Sequence, residues 1–319
     1  MEILLLEDLA ADARQWLAAR HQVDYRPELQ QDLAQLHQRL YKTDALVVPP
    51  RLKVNRQLLD FAPRLAVLGR IHDGTENIDF EACQCRRVRV VQASSATVRA
   101  SAEHLLFSLL TLFRCGGRLL EEESLSGREI NDSVIGLFGL SAPAHLLATM
   151  LVPLGARVVG YDPAVHRGAE LWRRLGVQPM ALADMLKVAD AVSMQAIYAS
   201  RYRSLVGEHV LAACKPGQMW TSISRPSLFD LDALAAALRS GRIAAFLMDS
   251  DDERLAAPDC PLRGLPTLRI TPRLAPRTQE SHLRGSWYLA DRLHETLAMS
   301  EEQRQRGLLG ADSVPMRHA

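Results

Sequence analysis

Residues 134–163, VIGLFGLSAPAHLLATMLVPLGARVVGYDP, decide the fold of this chain. Val134, Ile135, Leu137 and Phe138 form a short apolar run, as a parallel strand buried on both faces requires. A helix follows, with Leu146, Leu147, Met150, Leu151 and Leu154 at near-helical spacing. Gly155 is placed to stop it as a C-terminal cap residue. Residues 156–161 read as a second strand, with Asp162 at its end. Strand, tight turn, helix, strand and terminal acid make the layout of a dinucleotide-binding βαβ unit. In such units a carboxylate about twenty residues after the glycines accepts hydrogen bonds from the adenine ribose hydroxyls. Asp162 fits that spacing from Gly139. A carboxylate there repels the extra phosphate of NADP, so NAD is favoured over NADP as the cofactor.

The turn itself departs from the motif. The usual G-x-G-x-x-G stands here as Gly139-Leu140-Ser141-Ala142-Pro143-Ala144, with one glycine of three kept. The second glycine normally lets the backbone approach the pyrophosphate with no side chain between. Ser141 puts a hydroxymethyl group there, which either clashes or donates a hydrogen bond to a phosphate oxygen. Ala144 is tolerated, because the third position needs only close helix–strand packing. Pro143 suits a first helical turn but removes one N–H from the phosphate side. His145 adds a titratable group near the helix N-terminus. Gly139, Ser141, Ala142, Pro143 and Asp162 are therefore the candidate cofactor contacts, and a βαβ unit that binds nothing is the alternative.

With 319 residues the chain has room for two domains with substantial cores. A net charge of +1 gives no global electrostatic case for nucleic acid or a membrane surface. The charged run 85–89, CRRVR, reads as a polar strand edge, since no aromatic stacking partners accompany it. Five scattered cysteines, with Cys83-Gln84-Cys85 not a metal spacing, suit free thiols in a reducing cytoplasm and no metal site. The N-terminus lacks the basic stretch of a signal peptide. No apolar run approaches the roughly 20 residues of a membrane span.

Strands and helices alternate along the chain, which implies an α/β fold with parallel sheets. Residues 2–6, 45–48, 65–69 and 89–91 read as strands of a first lobe, with helical segments near 11–20, 28–40, 55–61 and 79–84. Residues 101–119 make a long apolar helix. After the nucleotide-type unit, strands are expected at 191–194, 219–222, 245–248 and 268–270, with a helix at 232–240 closed by Gly241. Residues 279–308 form an amphipathic helical tail, and the last ten are expected to fray.

Several segments, in order, resemble the D-isomer-specific 2-hydroxyacid dehydrogenases. GRIHDGTENIDFEA (69–82) is similar to that family's substrate loop, and SAEHLLFSLL (101–110) to its interdomain helix. GREINDSVIGLFGL (127–140) and GYDP (160–163) match its cofactor turn and acid. KPGQMWTSISRPSLFDLDALAAALRSGRIAAFLMD (215–249) resembles its arginine signature, and LPTLRITPRLAPRTQES (265–281) its histidine signature. The resemblance implies two Rossmann-like lobes: a flavodoxin-like substrate lobe from 1–99 and 279–319, and an NAD-binding lobe over 100–278. It also implies hydride transfer between NAD(H) and a small 2-oxo or 2-hydroxy acid, and a homodimer.

In that family an arginine holds the substrate carboxylate and carbonyl, a histidine exchanges the proton, and a glutamate tunes the histidine. The arginine position here is Arg225. The backbone of Asp73 and Gly74 matches the loop that cradles the carboxylate. Asp249 matches the aspartate on the nicotinamide side, and Gln195 stands where a histidine often follows the strand at 191–194. The histidine position, however, is Arg273, and the glutamate position falls on Arg254. A guanidinium stays protonated above pH ~12, so it cannot shuttle a proton at neutral pH. General acid–base catalysis contributes about 10²–10⁴-fold in rate. Pro226 and Pro276 replace two further glycines of the family pattern.

Arg225, Arg254 and Arg273, with Arg277 close behind, are expected to converge as an anion trap suited to a dianionic or phosphorylated acid. They would collapse as a site if their guanidinium groups pointed into separate regions of solvent. His72, beside Asp73 in the substrate loop, is the replacement proton donor on position, against a bland surface histidine. His104 reads as structural and His282 as solvent-facing. Three functions remain open: an NAD-linked oxidoreductase with altered proton chemistry, a non-catalytic descendant acting as a sensor or partner, and a nucleotide-site protein of another class. The signatures beyond the glycine turn argue against the third.

Overall fold

The computed structural model describes residues 1–71, 74, 77–115 and 127–299. The chain divides into two compact units, one of Met1–Thr97 with the segment from Gln279 onward, the other of Val98–Thr278.

The first unit runs β1 (Glu2–Leu5), α1 (Ala11–Ala18), β2 (Gln22–Tyr25), α2 (Leu33–Leu40), β3 (Ala45–Val47), α3 (Arg56–Asp60), β4 (Val67–Arg70), α4 (Phe80–Cys85) and β5 (Arg89–Gln92). Its strands pair in parallel in the order β2-β1-β3-β4-β5. That is the flavodoxin-like order of a doubly wound sheet. Side chains alternate between the two faces, as strand geometry dictates. Leu4, Leu46 and Leu68 enter one apolar cluster, while Ile3, Leu5, Val47 and Val67 enter the other. Asp32 accepts from the Gln35 amide and starts α2 there, so the expected helix over 28–40 begins instead as a separate 3-10 turn at Pro27–Gln30. Strand β2 was not anticipated; its QVDY sequence is half-exposed and carries little apolar signal.

The second unit runs α5 (Val98–Cys115), β6 (Val134–Phe138), α6 (Ala142–Leu151), β7 (Arg157–Tyr161), α7 (Glu170–Arg174), β8 (Gln178–Pro179), α8 (Leu182–Val188), β9 (Ala191–Met194), α9 (Glu208–Ala212), β10 (Gln218–Ser222), α10 (Leu231–Arg239), β11 (Ile243–Asp249) and β12 (Leu268–Thr271). All seven strands are parallel, in the order β12-β11-β10-β9-β6-β7-β8. The order reverses between β6 and β9, and ligands of open α/β sheets bind beyond the strand C-termini at such a switch point. Apolar clusters cover both faces, one around Trp220, Phe229 and Phe246, the other between α5, α6 and the sheet. The helix after the glycine turn stops at Leu151, earlier than expected, because Pro153 cannot continue its hydrogen-bond ladder. Leu154 is exposed, and Gly155 takes its positive φ of 80° in the following turn, not at a cap.

The last helix, α11 (Gln279–Ala298), packs on α1 and β4 of the first unit. It buries Leu289, Ala290, Leu293 and Leu297 there. Residues 116–119 of the expected interdomain helix and residues 300–308 of the expected tail lie outside the described residues. Among the described residues, no helix is long and apolar enough to cross a membrane.

Asp190, 8% exposed at the start of β9, ties the second sheet together. Its carboxylate accepts from the Val134 amide at 2.8 Å and from Lys215 Nζ at 2.7 Å, with Arg128 at 3.3 Å. Burial opposes its ionisation, but the hydrogen bonds from Lys215 and Val134 and the two cations outweigh burial and hold the carboxyl below its usual range. A carboxyl whose pKa falls on folding stabilises the protein above its unfolded pKa, about 3.9. That stabilisation is lost as pH falls through the lower folded value. Asp190→Asn should therefore cost about 1.5–3 kcal/mol at neutral pH. It should also flatten the acid limb of a urea-denaturation series taken from pH 7 downward.

Candidate functional site

The turn between β6 and α6 lies at the switch point of the seven-stranded sheet. Gly139 adopts φ 95°, and a Cβ there would stand 2.4 Å from Ala196 Cα and 2.5 Å from Ala196 N. Only glycine fits such a left-handed, closely approached position. Its amide donates to Tyr161 O at 2.8 Å, and its carbonyl accepts from Gln195 Nε2 at 2.7 Å. Gln195 is 2% exposed and accepts from Ser193 Oγ at 2.8 Å. Its side chain thus holds the turn.

Asp162 ends β7 and folds back over the same turn. One carboxylate oxygen accepts from the Leu140 amide at 2.6 Å, the other from the Ala164 amide at 2.7 Å. A carboxylate has about four lone-pair positions, so two remain for a pair of ribose hydroxyls. Ser141 is the N-cap of α6, yet its hydroxyl makes no capping bond, and Pro143 stands in the first turn without an N–H. His145 follows, its Nε2 buried without a partner among the described residues. A positive-φ glycine, an uncapped N-terminus on a ten-residue helix and a strand-end acid fit a dinucleotide.

The second group of residues sits beyond the ends of β10, β11 and β12. Arg225 precedes a 3-10 turn at Pro226–Leu228, which Pro226 is placed to initiate. Its guanidinium carbon lies 5.3 Å from the Tyr198 ring centroid. Arg254 grips Asp252 with Nε at 2.9 Å and Nη2 at 2.6 Å, and donates from Nη2 to Ser227 Oγ at 2.9 Å. These bonds hold the Asp252 carboxyl below its usual range against the opposing effect of burial, with a smaller contribution from the charge of Arg225. Arg273 lies 3.8 Å and Arg277 3.9 Å from opposite oxygens of Asp251. Three of the four arginines expected to form the anion trap thus lie on two adjacent aspartates, and the charge of the fourth, Arg225, acts on Asp252, since clustered like charges favour counter-charge.

Asp249 is 5% exposed, and its oxygens accept from Thr271 Oγ1 and from the amides of Leu274 and Ala275, both at 2.7 Å. It therefore shapes the 271–275 turn that carries Arg273, whose φ is 53°. His104 on α5 is pushed below the ordinary imidazole value by burial, with the charge of Asp249 opposing. In the first unit, Arg70 is buried and donates to Gly74 O and to Val48 O. Gly74 has φ 103°. His72 and Asp73 lie outside the described residues. His282, expected to face solvent, is half-buried on α11.

Sequence reasoning passed over Tyr198, Asp251 and Asp252. The two aspartates carry a visible signal, since SDDER follows the β11 acid directly. Tyr198 carries none, as its partners come from distant parts of the chain.

Comparison with known proteins completes the picture. The family model described as D-isomer specific 2-hydroxyacid dehydrogenase, NAD binding domain, matches residues 112–275. The (S)-sulfolactate dehydrogenase of Chromohalobacter salexigens is 32% identical over 263 residues, covering 80% of this chain and 85% of that protein. The D-3-phosphoglycerate dehydrogenase of Mycobacterium leprae is 32% identical over 267 residues, covering 81% of this chain; the chain spans 50% of that relative's length. In fold, the chain is similar to D-lactate dehydrogenase from Aquifex aeolicus complexed with NAD and lactic acid, with a TM-score of 0.78 at 20% identity over 96% of this chain and 98% of that one. With the positive-φ turn, the strand-end acid and the switch-point sheet already in place, these matches establish that the chain belongs to the D-isomer specific 2-hydroxyacid dehydrogenase family.

Proposed function

We infer that this protein is an NAD-linked oxidoreductase that interconverts a 2-oxo and a 2-hydroxy acid bearing a second anionic group. The Val98–Thr278 unit holds the dinucleotide, and the unit of Met1–Thr97 with the segment from Gln279 carries the substrate loop. The observation that carries this reading is the clustering of Arg254, Arg273 and Arg277 on Asp251 and Asp252, with the charge of Arg225 acting on Asp252. Such a cluster of guanidinium groups suits an acid with a second anionic group. The acids named for the sulfolactate and phosphoglycerate relatives carry such a second anionic group. A homodimer in the reducing cytoplasm, as the resemblance and the free cysteines suggest, belongs to the same reading.

When bound, NAD(H) supplies or accepts the hydride. Asp162 and the turn from Gly139 to Pro143 hold it, and the carboxylate disfavours NADP. Arg225 orients the substrate carboxylate through its planar fork. Asp249 acts indirectly, through the 271–275 turn. The alternative is a non-catalytic descendant that binds cofactor or acid as a sensor. The arginine at position 273, where the resemblance places a histidine, is what favours it.

Four measurements separate these outcomes. NADH fluorescence should be perturbed by the wild-type protein, and Gly139→Ala should weaken NADH binding at least about tenfold, the effect of roughly 1.4 kcal/mol of turn strain. Absorbance assays over a panel of acids should give higher kcat/KM for sulfonated or phosphorylated substrates than for pyruvate or lactate. Arg225→Ala should lower kcat/KM about 10–100-fold, the value of a charge-assisted hydrogen bond of about 1.5–3 kcal/mol. NADH binding without turnover would sink the oxidoreductase reading; in that case the double variant Arg273→His with Arg254→Glu should gain the reductase activity the wild type lacks.

A further inference from the structure

Reduction of a carbonyl needs a proton at oxygen as well as a hydride at carbon. Arg273 stands at the family's histidine position, and a guanidinium does not give up its proton near neutral pH. Among the described residues, Asp252 and Tyr198 are titratable groups that interact with Arg225. Asp252 is held ionised by Arg254, so it is no acid at neutral pH. Tyr198 is left. It follows β9 by four residues and lies half-buried against the cluster around Trp220. Arg225 stands over its ring, with the guanidinium carbon 5.3 Å from the centroid. Arg254, anchored by Asp252 and Ser227, interacts electrostatically with the same phenol. The phenol ring therefore lies against the arginine that orients the substrate and within electrostatic reach of Arg254.

We propose that Tyr198 is the proton donor to the carbonyl oxygen in 2-oxo acid reduction. This rests on the oxidoreductase reading above. With NADH as the hydride source, C2 gains a C–H bond and the carbonyl π pair moves onto oxygen. That oxygen takes the proton from Tyr198 Oη as the O–H bond breaks. The phenolate left behind faces the charges of Arg225 and Arg254, placed where negative charge develops. Water restores the phenol proton. In the oxidative direction the phenolate takes the proton of the 2-hydroxyl. Substrate, NADH and water balance the step.

The test uses the full chain with Tyr198→Phe, which keeps the ring under Arg225 and removes only the hydroxyl. With the best acid of the panel, kcat should fall about 10²-fold or more, the scale of a lost general acid. KM, and the calorimetric affinity for oxalate in the presence of NADH, should stay within about threefold, as expected when an interaction used only in the transition state is removed. Tyr198→His, which restores a proton carrier, should recover part of kcat. Unchanged kcat in Tyr198→Phe overturns the proposal while the oxidoreductase reading stands. Parallel loss of kcat and oxalate binding also overturns it, since the phenol would then hold substrate only. A wild type that binds NADH yet reduces no acid overturns both.

Discussion

Everything at the switch point depends on the backbone of Gly139. Its amide belongs to the β7 end through Tyr161, and its carbonyl to the β9 end through Gln195. The next amide, of Leu140, belongs to Asp162. Three parallel strands are thus stitched at their C-terminal edge by one positive-φ residue. The approach to Ala196 leaves no room for a side chain. The other motif glycines carry no such duty, since the serine and alanine replacing them sit at the helix start, where a Cβ is admissible. This explains how a motif with one glycine of three keeps the geometry of the whole. The glycine that remains is the one whose loss the backbone could not accommodate.

A second carboxylate plays the matching part at the other end of the site. Asp249 gathers Thr271 Oγ1 and two successive amides, and so fixes the turn that presents Arg273. Arg273 itself is left-handed at φ 53°, a conformation that costs a non-glycine residue about 1–3 kcal/mol. Bonds to the amides just after it offset that cost. The turn is therefore imposed from beneath by a buried acid, whatever side chain it displays. The side chain displayed there can therefore change while its platform stays in place.

Elements with a strong apolar period were legible in the sequence: β6, β7, β9, β10, β11 and the helices between them. Strand β2 and the two-residue β8 were not, because half-exposed QVDY and the pair Gln178–Pro179 have too little apolar content to declare a strand. The end of α6 was misplaced because Leu154 continues the helical spacing past a proline that breaks it. In the site, Gly139 and Asp162 could be placed from spacing alone. Gln195 could be located but not interpreted, since its role depends on the carbonyl of a residue 56 positions away. The arginines could be named, yet their pairing could not. Whether a guanidinium is bare or matched depends on where Asp251 and Asp252 turn after β11, and the sequence carries no period that fixes such a loop.

The pairing also constrains how an anion would enter. Arg254 and Asp252 are partly exposed, as are Arg277 and Asp251. Exposed ion pairs contribute only about 0–1 kcal/mol each. Displacing such a carboxylate from a guanidinium is therefore cheap for an incoming sulfonate or phosphate, which brings equal or greater charge and more acceptor oxygens. For a monoanion the exchange is close to neutral, because one carboxylate replaces another. Asp251 and Asp252 then do more than quench the cluster. On the proposed reading, they would set a threshold that favours a dianion over a singly charged acid. The specificity inferred for the site follows from the aspartates as much as from the arginines they hold.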